Sequence, residues 1–330
     1  MSASVILGID VAKQKFDVAL LRGGKFKNKV FKNTKEGFED LSLWLQKQDV
    51  SHVHACCEAT STYGEGLALY LHGAGHMVSI VNPARIKGFA QSELLRTKND
   101  KVDAGLIARF CLAMRPAAWM PPAPAIRDLQ ALVRRADALI AMRIQEENRL
   151  GVCHVSIEPS IKEHIAYLEQ EIEKIKDQIR KAMKHDPELK SKRDLLVSIP
   201  GISDTTIAVI LSELNGLEYF DNPQKVVAFI GLAPKDTLSG ISVKGKPRIC
   251  KIGNSRLRRA LYMPALAAIR HNPIISIFYN RLKEKGKKGK VIVCAVMRKL
   301  VHMIFGILKS GMPFNLNYHA NKINFATTIR

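Results

Sequence analysis

Acid is almost missing from the last part of this chain. From Thr237 to Arg330 there is one acidic side chain, Glu284, against nineteen Lys or Arg, which is +18 of the formal net charge of +21. A surface of one sign implies a polyanionic partner, because each neutralised phosphate releases counterions. A solvated basic face that only aids solubility is the weaker reading at this asymmetry. An anionic membrane would call for a basic amphipathic anchor, and none stands out.

Other patterns are missing too. None of the six cysteines forms a CxxC pair, and Cys56 and Cys57 are neighbours inside a strand-like run. That argues against zinc ligation and a disulfide framework, and for reduced, mostly buried thiols. No apolar stretch reads as long enough to cross a bilayer. The N-terminus has no basic region leading into a long apolar run, so we expect no secretory signal and a cytosolic protein.

What remains is ordinary globular material: 47% hydrophobic and 25% charged residues over a length of 330, enough for two or three domains. The first part alternates between strand and helix patterns. "SVILGID" reads as a strand, and "FDVALLRGGKFKNKVFKNT" as a hairpin turning at Gly23-Gly24. "KEGFEDLSLWLQKQ" has helical spacing, "VHACCEA" is a strand ending on Glu58, and "YGEGLALYLHGAG" is a helix closed by glycine. "MVSIVNP" is a fifth strand, and "NDKVDAGLIARFCLAM" a helix. The order β-β-β-α-β-α-β-α predicts a mixed five-stranded sheet with helices on its faces, the order of the ribonuclease H-like (RuvC-like) α/β fold. An actin-like ATPase shares that sheet order, but no phosphate-loop pair supports it.

The proline-rich "WMPPAPAIRD" marks a boundary. We expect an N-terminal domain over 1–124, an antiparallel coiled-coil arm over 125–190, and a mainly helical basic domain over 191–330. In the arm, Ile161, Ile165, Leu168, Ile172, Ile175 and Ile179 step by four, three, four, three and four. Such a heptad stripe suits packing within the arm or between subunits. "LLVSIPGISDTTIAVILSEL" resembles a helix-hairpin-helix DNA-binding unit, and an ordinary helical hairpin explains it equally well. "EKGKKGK" reads as a solvated basic loop before the last apolar helix.

Four acids carry the chemistry. Asp10 ends the first strand and Glu58 the fourth, while Asp100 and Asp103 sit at i and i+3 on one helix face. Singly, each has a plain explanation: a turn acceptor, a loop cap, an N-cap, a surface acid. In the predicted topology the first and fourth strands are neighbours, and the four can converge. Carboxylates so gathered repel unless cations hold them. Hard oxygen donors select Mg²⁺ or Mn²⁺, and two such ions can stabilise the attacking and leaving oxygens of a phosphodiester.

With "GID" at 8–10, "EAT" at 58–60 and "RTKNDKVDA" at 96–104, the chain resembles the DEDD-type insertion-sequence transposases of the IS-one-ten family, relatives of the Piv DNA invertases. "SIPGI" at 198–202, "FIGLAP" at 229–234, "SGIS" at 239–242, "GNSRLRRALYMPA" at 253–265 and "GKKGKVIVCAVMRKL" at 286–300 extend the resemblance, in order, over nearly the whole chain. It implies a recombinase pairing a RuvC-like domain with a transposase domain. The family's DEDD acids fall on Asp10, Glu58, Asp100 and Asp103, and its serine nucleophile on Ser239, with Ser242 the nearby rival. Ile241 departs from the small polar residue of many relatives. The resemblance also implies a structured guide (bridge) RNA that pairs with donor and target DNA.

On this reading Ser239, beside the carboxylate–metal cluster, attacks a scissile phosphodiester. Lys244, Lys246, Arg248, Lys251, Arg256, Arg258 and Arg259 neutralise DNA phosphates, and glycines at 240, 245 and 253 let the backbone approach closely. A synaptic complex needs at least two active sites, so we expect a dimer or tetramer joined through the arm. Two other classes fit parts of the sequence. A RuvC-like hydrolytic nuclease needs the four acids alone, and a non-catalytic nucleic-acid-binding protein needs the basic half alone.

Overall fold

The computed structural model describes residues 5–59, 62–93, 100–214, 217, 220–235, 238–239, 243–244 and 248–316, with backbone only at 100–102, 238, 239, 243 and 244. The chain divides into two compact units, Met1–Pro121 and Pro122–Arg330.

The first unit is a five-stranded mixed sheet. Its strands are β1 (Ile6–Val11), β2 (Lys15–Arg22), β3 (Lys25–Lys32), β4 (His54–Glu58) and β5 (Met77–Val81), in the spatial order β3-β2-β1-β4-β5. β1 to β3 form an antiparallel meander, while β1–β4 and β4–β5 are parallel. The two-residue turn between β2 and β3 has Gly23 at φ 55° and Gly24 at φ 77°, a left-handed pair that matches the twist of the strands.

Alternation along the strands separates two cores. Leu7, Ile9, Phe16, Val18 and Leu20 pack under α1 (Lys35–Gln46) and α2 (Glu65–Gly73) through Leu41, Leu45, Leu67 and Leu71. Ile6, Ala19, Leu21 and Cys56 pack on the other face, under α3 (Pro83–Ser92) and α4 (Asp100–Met114), through Ile86, Ala104, Ile107, Ala108 and Cys111. Each fully buried Leu, Ile or Phe contributes about 1.5–3 kcal/mol. Thr34 caps α1 by accepting from the Gly37 amide.

The second unit opens with α5 (Pro124–Leu150) and α6 (Glu158–His185), antiparallel as the pairs Arg143–Glu169 and Glu146–His164 require. Three residues of the predicted heptad stripe are buried here: Leu168 and Ile172 pack against Leu139, and Ile179 joins the main core with Met183, Ile126 and Val133. That core also takes α7 (Pro187–Val197), α8 (Asp204–Glu213), α9 (Pro223–Ile230), α10 (Ser255–Ala260), α11 (Tyr262–His271), α12 (Pro273–Glu284) and α13 (Gly289–Ser310).

One expectation is corrected here. α13 is long and apolar enough to cross a membrane by length and composition, which the sequence reading denied. Its apolar residues are spent on the core: Ile292, Val296, Met297, Leu300, Val301 and Ile304 are buried. A helix hydrophobic on most sides is what the centre of a helical domain requires.

Candidate active site and nucleic-acid interface

The parallel register of β1 with β4 pairs Gly8 with Cys56 and Ile9 with Cys57. The next residues on the two strands are Asp10 and Glu58. Alternation sends both to the face that carries Gly8 and Cys56, which is the face α4 covers. Gly8 is why α4 lies so close. A Cβ there would meet the Ala104 carbonyl oxygen at 2.2 Å and the Ala108 amide nitrogen at 2.4 Å. Asp103 directly precedes Ala104, so the first turn of α4 starts beside the ends of β1 and β4. Asp10, Glu58 and Asp103 are each half-buried, and each has partners within the fold. The Asp100 side chain lies outside the described residues. Among the described residues no three His, Cys, Asp or Glu side chains already stand as a ligand set.

The donor chemistry suits a hard cation. Oxygen donors come from three elements on one face. Two nearby sulfurs are unsuited: Cys57 points to the other core and burial pushes its thiol up to about 12, while Cys56, hydrogen-bonded to Cys111 and buried, is also raised. All six cysteines are free thiols.

A further acid, not among the four expected, lies on this face. β1 and β2 pair in a register that sets Asp17 directly opposite Asp10. Asp17 is only 9% exposed, with Lys15 Nζ 3.2 Å from its carboxylate. The signal was present as the echo of "IDVA" in "FDVA".

Ser239 sits in a β-ribbon. β6 (Pro234–Lys235) pairs with β9 (Arg248–Ile249), and further out β7 (Leu238–Ser239) pairs with β8 (Val243–Lys244). Ser239 faces Val243 across the outer pair, so only positions 240–242 lie between them. Ser242, Lys246, Gly240 and Gly245 lie outside the described residues, as do the side chains of Ser239 and Lys244. The ribbon is rooted on α9 and α10. Cys250, Lys251 and Asn254 donate backbone N–H bonds to the carbonyls of Ala233, Gly231 and Phe229 at 2.8, 3.0 and 2.8 Å. Gly253, at φ 137°, permits this, since a Cβ would stand 2.2 Å from the Phe229 carbonyl oxygen. The motifs "FIGLAP" and "GNSRLRRALYMPA" are thus two sides of one joint.

The basic residues expected to meet phosphates divide into two kinds. Arg248, Lys251 and Arg259 are exposed, Arg259 by 75% of its side chain with one nitrogen 3.7 Å from Asp137. Arg256 and Arg258 are engaged within the fold. Arg256 bonds Asp137 at 2.6 Å and lies 3.7 Å from the buried Glu213, which also takes a 2.8 Å bond from Asn254. Arg258 donates to the Ile230 carbonyl at 2.8 Å.

In the α7–α8 hairpin, the first turn of α8 carries Asp204, whose carboxylate takes bonds of 2.9 and 3.0 Å from Arg193. A carboxylate already at that helix end disfavours a phosphate there.

A family model described as a transposase, of the DEDD IS110 type, matches residues 7–155, and the model of the transposase IS116/IS110/IS902 family matches residues 193–280. The chain is 33% identical over 316 residues to the pilin gene-inverting protein of Moraxella bovis, covering 95% of this chain and 98% of that protein. It is 33% identical, over the same extents, to the protein so named in Moraxella lacunata. It is 24% identical over 295 residues to the transposase for insertion sequence element IS1328 of Yersinia enterocolitica, covering 76% of this chain and 82% of that one.

Proposed function

Because the chain belongs to the IS110 family of transposases, we propose that it is a DNA recombinase that cuts and rejoins strands through a covalent link to Ser239. Asp10, Glu58, Asp100 and Asp103 form the metal-holding end of its site. The observation that carries this reading is the β1–β4 register, with Asp10 and Glu58 following paired residues on the face where Gly8 draws in the start of α4. Gathering carboxylates there is costly without a cation, and oxygen donors of this kind take Mg²⁺ or Mn²⁺. When bound, such ions supply charge neutralisation at the scissile phosphate and at the attacking and leaving oxygens.

The chain's own residues supply the rest. The Ser239 hydroxyl loses its proton and its oxygen attacks phosphorus. The bond from phosphorus to the 3′ oxygen breaks, and that oxygen leaves as a 3′-hydroxyl after gaining a proton. The phosphoserine link conserves the bond energy, so the reverse attack by a new 3′-hydroxyl rejoins strands without ATP. The ribbon presents Ser239 near its tip, and Lys244, Lys246, Arg248, Lys251 and Arg259 neutralise the DNA around it. Asn254 and Arg256 hold the ribbon root.

A structured RNA from the element's own end directs the choice of donor and target, and two or four copies, joined through the arm, assemble the synapse in the cytosol. The exposed Val152, Val155 and Ile157 at the turn between α5 and α6 suit that contact better than the stripe, whose Leu168, Ile172 and Ile179 are already buried. The test is cleavage of element-junction DNA with Mg²⁺, with and without the element-end RNA. Asp10→Asn and Glu58→Gln are expected to abolish cleavage while leaving DNA binding, and omission of the RNA is expected to abolish junction selectivity. Unchanged cutting by both variants would refute the site.

A further inference from the structure

Two rows of like charge lie side by side on the α4 face of the sheet. The first runs across β4, β1 and β2 as Glu58, Asp10 and Asp17. The second lies one pleat further along: Lys15 on β2 faces Lys32 on β3. Like charges directly opposite one another destabilise a strand pair, so two such rows call for an explanation. The rows are about 7 Å apart along the strands.

Lys15 and Lys32 are both exposed. Asp17, nearly buried, lies 3.2 Å from the Lys15 ammonium. The Lys32 carbonyl accepts from the Thr34 amide at 2.9 Å and is pressed by Gly37, where a Cβ would stand 1.9 Å from it. β3 is the edge of the sheet, and its sequence KFKNKVFK contains no acid. The neighbouring helix carries Glu36, held in the charged form first by a backbone bond, then by Thr34, with Lys35 and Lys32 adding to the pull.

We propose that Lys15 and Lys32 together grip a phosphate of the nucleic-acid strand beside the carboxylate row, and that Asp17 is the positioning residue for Lys15. Directly opposite residues stand about 5 Å apart at Cα, so both ammoniums reach one phosphate. The phosphate relieves the repulsion between the lysines, and Asp17 fixes one of them. The strand enters over the edge of β3, whose own residues include no acid. The position of this phosphate, next to the cut one, rests on the proposed function. The contact itself does not.

The test is binding of element-junction DNA without divalent ions, using duplexes in which one phosphate at a time is replaced by a neutral methylphosphonate. For Lys15→Gln and for Lys32→Gln, the salt dependence of binding is expected to fall by about one ion each. The wild-type chain is expected to lose affinity at one or two linkages flanking the cut, and both variants to be indifferent there. Asp17→Asn is expected to blunt the same linkages, and Lys15→Arg to restore them. Lys32→Gln leaves the Lys15–Asp17 pair intact, so its result does not depend on the folding of the Lys15 variant. An unchanged salt slope with the same linkage profile in all variants would overturn the proposal, as would coupling confined to linkages far from the cut. Coupling in a chain that never cuts DNA with Mg²⁺ would refute the proposed function and leave the contact standing. Cutting without coupling would do the reverse.

Discussion

Gly8 and Ala104 touch so closely that no side chain fits between them: a Cβ on Gly8 would lie 2.2 Å from the Ala104 carbonyl oxygen. The contact locks the first turns of α4 onto β1, two residues before Asp10 and one after Asp103. Gly8→Ala is therefore expected to push the helix outward, at a cost of about 1–3 kcal/mol. Melting would show a loss of that size, and any folded fraction would have lost metal-dependent cleavage. A variant with wild-type melting and cleavage would show that the close packing is incidental.

Arg256 and Arg259 are three residues apart and have different work. Arg256→Ala removes the 2.6 Å bond to Asp137, leaving it the longer 3.7 Å approach of Arg259, and takes one cation from beside the buried Glu213, at a cost of about 1–3 kcal/mol. Arg259→Ala removes only an exposed 3.7 Å pair with an Asp137 that Arg256 already bonds, so it is expected to change the melting temperature little and to weaken DNA binding with a smaller salt slope. Thermal melts and binding at two salt concentrations separate the two.

That division was not legible in the sequence. "NSRLRRA" shows three arginines of equal standing, and only the fold turns Arg256 toward Asp137 and Arg258 toward Ile230. The sheet was legible, because Gly23-Gly24 and the clean apolar runs fix its turn and strands locally. Asp10, Glu58 and Asp103 were visible as ends of elements. Asp17 was hidden, because an acid within an apolar run reads as a strand's solvent face until the register sets it opposite Asp10. The ribbon was missed for a different reason. Strands of two residues, such as β7 and β8, have no periodicity to detect.

Gly253→Ala tests the ribbon root. Its φ of 137° and the 2.2 Å approach to Phe229 leave no room for a methyl group. We expect a loss of about 1–3 kcal/mol and a larger fall in covalent adduct than in DNA binding. Parallel losses of adduct and binding would mean that the joint does not position Ser239.

His76 gives the first unit a pH dependence. Burial, then the nearby His52, holds its pKa below the ordinary 6.5. The unfolded chain therefore takes up the proton first, so stability is fully present above about 6.5 and is lost as pH falls through the lowered folded value. His76→Gln is expected to flatten the melting temperature over that acid range. An unchanged slope would assign the acid sensitivity to other groups.

Whether Ser239 becomes covalently linked to DNA is read by a trapping assay. Purified chain is incubated with Mg²⁺, labelled element-junction DNA and RNA transcribed from the element's end, then denatured and examined for DNA bound to protein. The expected result is an adduct that is lost in both Ser239→Ala and Asp10→Ala. Free cut ends without adduct, unchanged by Ser239→Ala, would contradict it and identify a hydrolytic nuclease instead.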